Sequence, residues 1–534
     1  MKRRRLAPVL AVSVMATLAP GLAAAPASAA SPLDSYVQQK LAWKRCSPDA
    51  PAALQCATLR VPLDYQRPSG PKMNIAISRL KSAVPAKRHG VLLSNPGGPG
   101  GSGIAMPLML NEAMPKSVKE KYDLIGFDPR GVGLSSPLGC GLSDKDMVWP
   151  RPYKAKTFTK DTQWAKLVAR KCEKYNADTL AHINTANTAQ DMDLLRAVLR
   201  EEKISYLGYS YGTQLGAVYT QMFPSRADRF ILDSSVDPKL AWRGMLQVWA
   251  EGAEPAFDRW TEWTAKRSAT YKLGTTPAAV RKTFWDLVKQ VEKKPIVVDG
   301  ETITADDIRY HLRAEFFTPK TAAAMVVEVK KAAAGKKSTA KRLLGSAEKP
   351  GLYTRTTEAV RSSLMPGGIP YDNSDAVFWA VACGDNTAAW PADRMQYAAD
   401  ATRDKARWPL FGDFGSNIKP CASWKPAAPG VTVDNSVPAL IIQNEWDSQT
   451  PLSTAIGMRQ ALKGSRLVTV DEGEGHGVYL FGGNACANKA GSAYLLNGKL
   501  QANDSTCKAG PSGAARHSAD PIAPSPFPQN PNRF

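Results

Sequence analysis

Ser210 lies in Gly208-Tyr209-Ser210-Tyr211-Gly212, a G-x-S-x-G arrangement between the apolar run Ile204–Leu207 and an amphipathic stretch through Leu215 and Tyr219. A serine on a sharp strand-to-helix turn is presented at the edge of a sheet. Glycine two residues to either side removes side chains that would strike the turned backbone. A hydroxyl is a weak nucleophile at neutral pH; it needs a base, and the base needs an orienting group. The chain has five histidines, so the base is sought by elimination. His89 stands beside Lys87 and Arg88, His182 precedes a helix, His311 falls inside a helical segment, and His517 lies near the end of the chain. His476 sits in Glu472-Gly473-Glu474-Gly475-His476-Gly477, a glycine-rich loop after a strand. The acid is expected after the preceding strand, Pro438–Gln443, which runs into Asn444-Glu445-Trp446-Asp447. Asp447 is the first choice there and Glu445 the second.

Acyl transfer also needs donors for a tetrahedral oxyanion. One is the backbone N–H of Tyr211, directly after the nucleophile. The other is expected from Pro96-Gly97-Gly98-Pro99-Gly100, with Gly98 ahead of Gly97. The chain order Ser210, Asp447, His476 is that of the α/β-hydrolases. No CxxC occurs and no histidine stands at ligand spacing, so neither a metal nor a cofactor is expected.

The elements that must position these residues follow from the patterning. Residues 90–235 alternate short apolar runs with helical segments, the signature of βα units and a largely parallel sheet. Strands are expected at Val91–Ser94, Tyr122–Phe127, Ile204–Leu207 and Arg229–Asp233. A helix is expected from Thr188, capped by its hydroxyl with Asp191 three residues on. From Val236 to Gly430 the pattern turns mainly helical, with Thr276-Pro277 and Thr304 as helix starts and an Asp299-Gly300 hairpin between them. The sheet resumes at Val437–Gln443 and Leu467–Val470. The expected fold is therefore an α/β-hydrolase fold with a mostly parallel sheet and a large, mainly helical lid between the nucleophile and acid strands. Its core occupies 31–235 and 431–510, and its lid 236–430.

The ends of the chain read differently. Lys2, Arg3, Arg4 and Arg5 precede an apolar stretch interrupted by Pro8 and Pro20, and Ala27-Ser28-Ala29 supplies small residues for cleavage near Ala29 or Ala30. Residues 1–30 thus read as an export signal, Sec and twin-arginine routes both fitting, and the mature protein as secreted without a membrane span. Residues 511–534, rich in Pro, Ser and Asn, read as a disordered tail. The net charge of +21 includes those four leader cations, and the rest are scattered. That pattern suits a solvated basic surface rather than a nucleic-acid partner. Eight cysteines in an exported chain imply disulfides. They allow 105 connectivities, which the sequence alone does not fix; sequential pairing is the one expected, since Cys46/Cys56, Cys140/Cys172, Cys383/Cys421 and Cys486/Cys507 each share one local stretch.

Four motifs together carry a resemblance: the PGGPG loop at 96–100, Asp128-Pro129-Arg130-Gly131-Val132-Gly133, the G-Y-S-Y-G elbow, and Asp447-Ser448-Gln449-Thr450-Pro451. In these the chain resembles the proline iminopeptidase-type α/β-hydrolases, and among them the secreted tripeptidyl aminopeptidases of actinobacteria. The resemblance runs to about Cys507. It implies a serine exopeptidase acting on peptide or protein N-termini and releasing short peptides, here tripeptides. One departure stands out: smaller relatives carry His-Gly-Gly-Pro-Gly, whereas Pro96 takes the histidine's place here. The backbone donors are unaffected, but the loop must be braced in another way. The resemblance also implies lid carboxylates that hold the substrate's α-ammonium. Glu251, Glu254 and Asp385 are the candidates, with Asp372 and Asp375 beside them. Trp242, Met245, Leu246, Trp249, Phe257 and Trp260 are candidates for an apolar pocket or for lid core. A secreted esterase or lipase would use the same triad on an ester, and a non-catalytic binding protein is the third reading.

Overall fold

The computed structural model describes residues 32–509 apart from 49, 149–150, 299, 341–367, 426–429 and 448. The export signal and the tail expected at either end lie outside the described residues. Ten strands form one sheet: β1 (Lys44–Arg45), β2 (Gln55–Pro62), β3 (Lys72–Leu80), β4 (Gly90–Asn95), β5 (Tyr122–Phe127), β6 (Ile204–Tyr209), β7 (Ala227–Asp233), β10 (Ala439–Trp446), β11 (Arg466–Glu474) and β12 (Ser505–Lys508). β8 (Ile296–Val298) and β9 (Glu301–Ile303) make a separate hairpin inside the lid. The order is β1-β2-β3-β5-β4-β6-β7-β10-β11-β12. From β5 to β12 every pairing is parallel, while β1, β2 and β3 add antiparallel strands at one edge. All six residues of β4 and all six of β6 are buried, as expected of strands covered on both faces.

β1 to β3 were not expected from the apolar alternation, which is clear only from residue 90 onward. The helix expected from Thr188 begins at Thr185, and Asn184 caps it by accepting the amide of Asn187 at 2.8 Å. Asp191 has another task. Its carboxylate takes two hydrogen bonds from the buried Arg130 guanidinium, at 2.6 and 2.8 Å, and one from Tyr65 at 2.8 Å. Arg130 of the DPRGVG turn is therefore a strut between the sheet edge and a helix.

The chain between β7 and β10 is mainly helical. Its helices include Arg243–Ala265, Pro277–Lys293, Ala305–Glu315, Pro319–Ala333, Asn373–Gly384 and Arg394–Arg407. Thr276 and Thr304 cap their helices as the sequence suggests, Thr304 in a reciprocal box with Asp307. Val280, Phe284, Leu287, Val288 and Val291 form the buried stripe of the second helix. Phe257 and Trp260 pack against Phe284 and Phe316, so these two aromatics belong to lid core rather than to a pocket.

All eight cysteines are paired, and sequentially: Cys46–Cys56, Cys140–Cys172, Cys383–Cys421 and Cys486–Cys507. No helix among the described residues is long and apolar enough to cross a membrane.

Candidate active site

Ser210 stands between β6 and the helix Tyr211–Met222, with φ +55° and ψ −122°. A non-glycine residue held there is strained, and the surrounding contacts enforce it. Gly208 and Gly212 pack so closely that a Cβ on Gly208 would lie 2.4 Å from the Gly212 carbonyl oxygen. The Ser210 amide donates to the backbone carbonyl of Asp233, at the end of β7, at 3.0 Å. Tyr211 is the first residue of the helix, so its N–H has no intrahelical acceptor and points out of the helix end.

The glycine-rich loop after β4 comes up against this turn. A Cβ on Gly97 would fall 2.9 Å from Ser210 Cβ, so only glycine allows the approach. The Gly97 amide donates to Asn95 Oδ1 at 2.9 Å, which commits it, and Gly98 lines the cavity beside Ser210. Gly98 is therefore the better placed of the two candidate donors. The brace that the sequence left open comes from Asp128, whose carboxylate accepts from Ser102 Oγ at 2.6 Å and the Gly103 amide at 3.0 Å.

Asp447 and His476 are brought together: Nδ1 of the imidazole lies 2.6 Å from Oδ2 of the carboxylate. Asp447 is 1 % exposed and heavily held. Oδ1 accepts the amides of Gln449 and Thr450, and Oδ2 also accepts Thr450 Oγ1 at 2.9 Å. A carboxylate at Nδ1 fixes the proton there and leaves Nε2 as the basic nitrogen. Glu445, the second choice, instead accepts the amide of Glu472 at 2.8 Å.

Sequence reasoning missed Asp233 and Ser234. The buried Asp233 carboxylate accepts the amides of Val478 (2.9 Å) and Tyr479 (2.6 Å), and Ser234 Oγ accepts that of Gly477 (2.8 Å). One strand end thus holds the nucleophile turn by its backbone and the histidine loop by its side chains. Burial pushes the Asp233 carboxyl up to about 7, against the opposing pull of those donors and of His476. The signal was available, since Asp233 ends the strand next to the nucleophile strand, where parallel sheets place their sites.

The lid covers one side of Ser210. A cavity there is walled by Trp242, Met245, Leu246, Trp249, Phe378 and Ala382, with Ser210, Gly98 and Tyr211 at its edge. None of the five acidic candidates lines it. Asp385 is buried, and its oxygens accept the Thr185 amide (2.7 Å), Thr185 Oγ1 (2.6 Å) and Trp242 Nε1 (2.8 Å). Burial raises its carboxyl above the usual range. Asp372 accepts the amides of Cys140 and Leu142, both at 2.8 Å. Glu254 is half-buried and accepts the Leu410 amide, Glu251 is exposed on the same helix, and Asp375 is buried.

Comparison with known proteins decides the family. Residues 90–291 match the alpha/beta hydrolase fold family and 408–507 the TAP-like protein family. The chain is 33 % identical to the tripeptidyl aminopeptidase of Streptomyces lividans over 87 % of its own length and 86 % of the relative's. The chain belongs to the tripeptidyl aminopeptidase family. It is a serine hydrolase of α/β-hydrolase fold and a peptidase by family. It is also 29 % identical to the serine protease Hip1 of Mycobacterium tuberculosis, over 88 % of this chain and 91 % of that one. A protein of the same organism named carboxylesterase B is 29 % identical over 92 % of this chain and 94 % of its own. The two matched stretches between them include the elbow, the glycine loop, the acid and the histidine.

Proposed function

We propose that this protein is a secreted serine exopeptidase that releases tripeptides from free N-termini through an acyl-enzyme on Ser210. His476 takes the Ser210 proton as Oγ attacks the scissile carbonyl, and the oxyanion that forms is met by the amides of Gly98 and Tyr211. The imidazolium then gives its proton to the departing amine, the C–N bond breaks, and an ester to Ser210 remains. Water, deprotonated by the same imidazole, hydrolyses that ester and frees the tripeptide. Asp447 holds the ring and stabilises its positive charge throughout. The observation that carries this reading is the 2.6 Å contact between Asp447 and His476 on the loop tied to the Ser210 turn. Export is supported by the basic, apolar leader and by the four disulfides, which persist in oxidising compartments.

In this reading a lid carboxylate, Glu251 or Glu254, holds the α-ammonium, since the oxygens of Asp385 are taken by Thr185 and Trp242. An extended chain spans about 3.3–3.6 Å per residue, so an anchor about 10 Å from Ser210 counts out three residues. The test compares a free tripeptide anilide with its N-acetylated twin. Losing a charged pair costs about 2–5 kcal/mol, so the free form should win by some thirtyfold to several thousandfold in kcat/KM. Equal cleavage of the two would refute the exopeptidase reading. The relative named carboxylesterase B favours a second reading, an esterase with the same triad. Faster turnover of acyl esters than of any free-amine peptide would establish it.

A further inference from the structure

The cavity beside Ser210 has a direction and a chemistry, and together they specify what enters it. Direction comes from the reaction. The group leaving Ser210 must lie against His476 to receive its proton, while the acyl oxygen turns toward Gly98 and Tyr211. The cavity touches Ser210, Gly98 and Tyr211, extends under the lid and reaches Gln449 and Thr450, the latter beside the Nδ1 edge of the imidazole that faces away from the leaving group; His476 itself is not part of its wall. It therefore lies on the acyl side.

Chemistry comes from the wall. Trp242, Met245, Leu246, Trp249, Phe378 and Ala382 present apolar surface, and Gln449 and Thr450 add an uncharged amide and hydroxyl at one edge. No carboxylate, ammonium or guanidinium lines it among the described residues. An apolar side chain gains about 25 cal/mol for each Å² it removes from water, whereas an unpaired charge loses far more on entry. Asp385 stands behind this wall. It fixes the indole of Trp242 through Nε1 at 2.8 Å and, through Thr185 Oγ1, is joined to Tyr211 Oη at 2.9 Å.

Building on the peptidase reading, we propose that this cavity receives the side chain of the residue whose carbonyl is attacked, and that it selects an uncharged, apolar one. Trp242 and Trp249 determine that specificity, and Asp385 acts as a positioning residue for Trp242 rather than as a ligand for the amino terminus. Ala382 sets the depth, because its single methyl leaves the space that a larger residue would fill.

The experiment is a panel of free tripeptide anilides that differ only in the third residue: Ala, Leu, Phe, Lys and Glu. Leu and Phe should exceed Lys and Glu by about a hundredfold or more in kcat/KM. Ala382→Leu should depress Leu and Phe more than Ala, and Trp249→Ala should favour Phe over Leu. Asp385→Asn should narrow the gap between substrates while the rate of fluorophosphonate labelling at Ser210 stays near wild type. Lys or Glu cleaved as fast as Leu by the wild-type enzyme would overturn the proposal, and that result needs no variant to fold. If a labelled, folded enzyme cleaves no tripeptide, the peptidase reading fails, and nitrophenyl esters then read the cavity. Butyrate and hexanoate preferred over the charged hemisuccinate would uphold it, and equal rates would overturn it.

Discussion

The amide of Ser210 donates to the backbone carbonyl of Asp233 at 3.0 Å, and the same aspartate holds the loop that carries His476 by its carboxylate. Nucleophile and base, 266 positions apart in the chain, are thus set by one residue at the end of β7. Preorganisation of this kind lowers the barrier because the groups need not reorganise at the moment of reaction.

A pH dependence follows. The Asp233 carboxyl is raised from 3.8 to about 7 by burial. Between those values the folded protein keeps a proton that the unfolded chain has released, so stability falls as pH rises through this window and is level above it. The total is about 4 kcal/mol for a shift of this size. Asp233→Asn should remove that slope, whatever offset arises from an amide group facing a backbone N–H. Urea titrations of both proteins from pH 4.5 to 8 measure it. Parallel stability curves would show that Asp233 does not titrate in the window.

Ser210→Ala deletes the nucleophile without altering the packing of the elbow. Turnover should fall by on the order of a millionfold, with an unchanged melting temperature and no labelling by a fluorophosphonate. Residual activity within tenfold of wild type would place the nucleophile elsewhere.

Asp447→Asn should cost on the order of ten-thousandfold in kcat, because an amide opposite Nδ1 favours the wrong tautomer. Glu445→Gln should be mild, since the Glu472 amide can donate as well to an amide oxygen. Steady-state kinetics on the two variants decide between the acids.

Arg130→Met should destabilise the fold by about 3–5 kcal/mol, because it leaves Asp191 buried without its cation. Thermal unfolding reads this directly. A loss below about 1 kcal/mol would mean that Tyr65 alone satisfies Asp191.

The nucleophile elbow and the βα frame can be read from the residues alone. The elbow is a local object: two glycines and a serine within five residues, between a strand and a helix that follow one another directly. The acid and histidine loops were legible because each follows an apolar run, and five histidines left few alternatives. The cysteines implied disulfides but left their connectivity open; the fold joins each cysteine to its neighbour in sequence. The antiparallel edge was less legible, because β1 has two residues and β2 and β3 mix polar with apolar positions. What surrounds the acidic and aromatic lid residues emerges from the folded chain. Asp385 and Asp372 look like substrate ligands in a list of residues, yet their oxygens are taken by Thr185, Trp242 and the amides of Cys140 and Leu142. Trp242 and Trp249 face the cavity while Phe257 and Trp260, on the same helix as Trp249, face the lid core. The physical reason is that a carboxylate or an indole serves a strut and a site equally well. Which one it becomes depends on partners distant in the chain, more than a hundred residues away for Asp385 and Asp372, and packing alone brings those partners near.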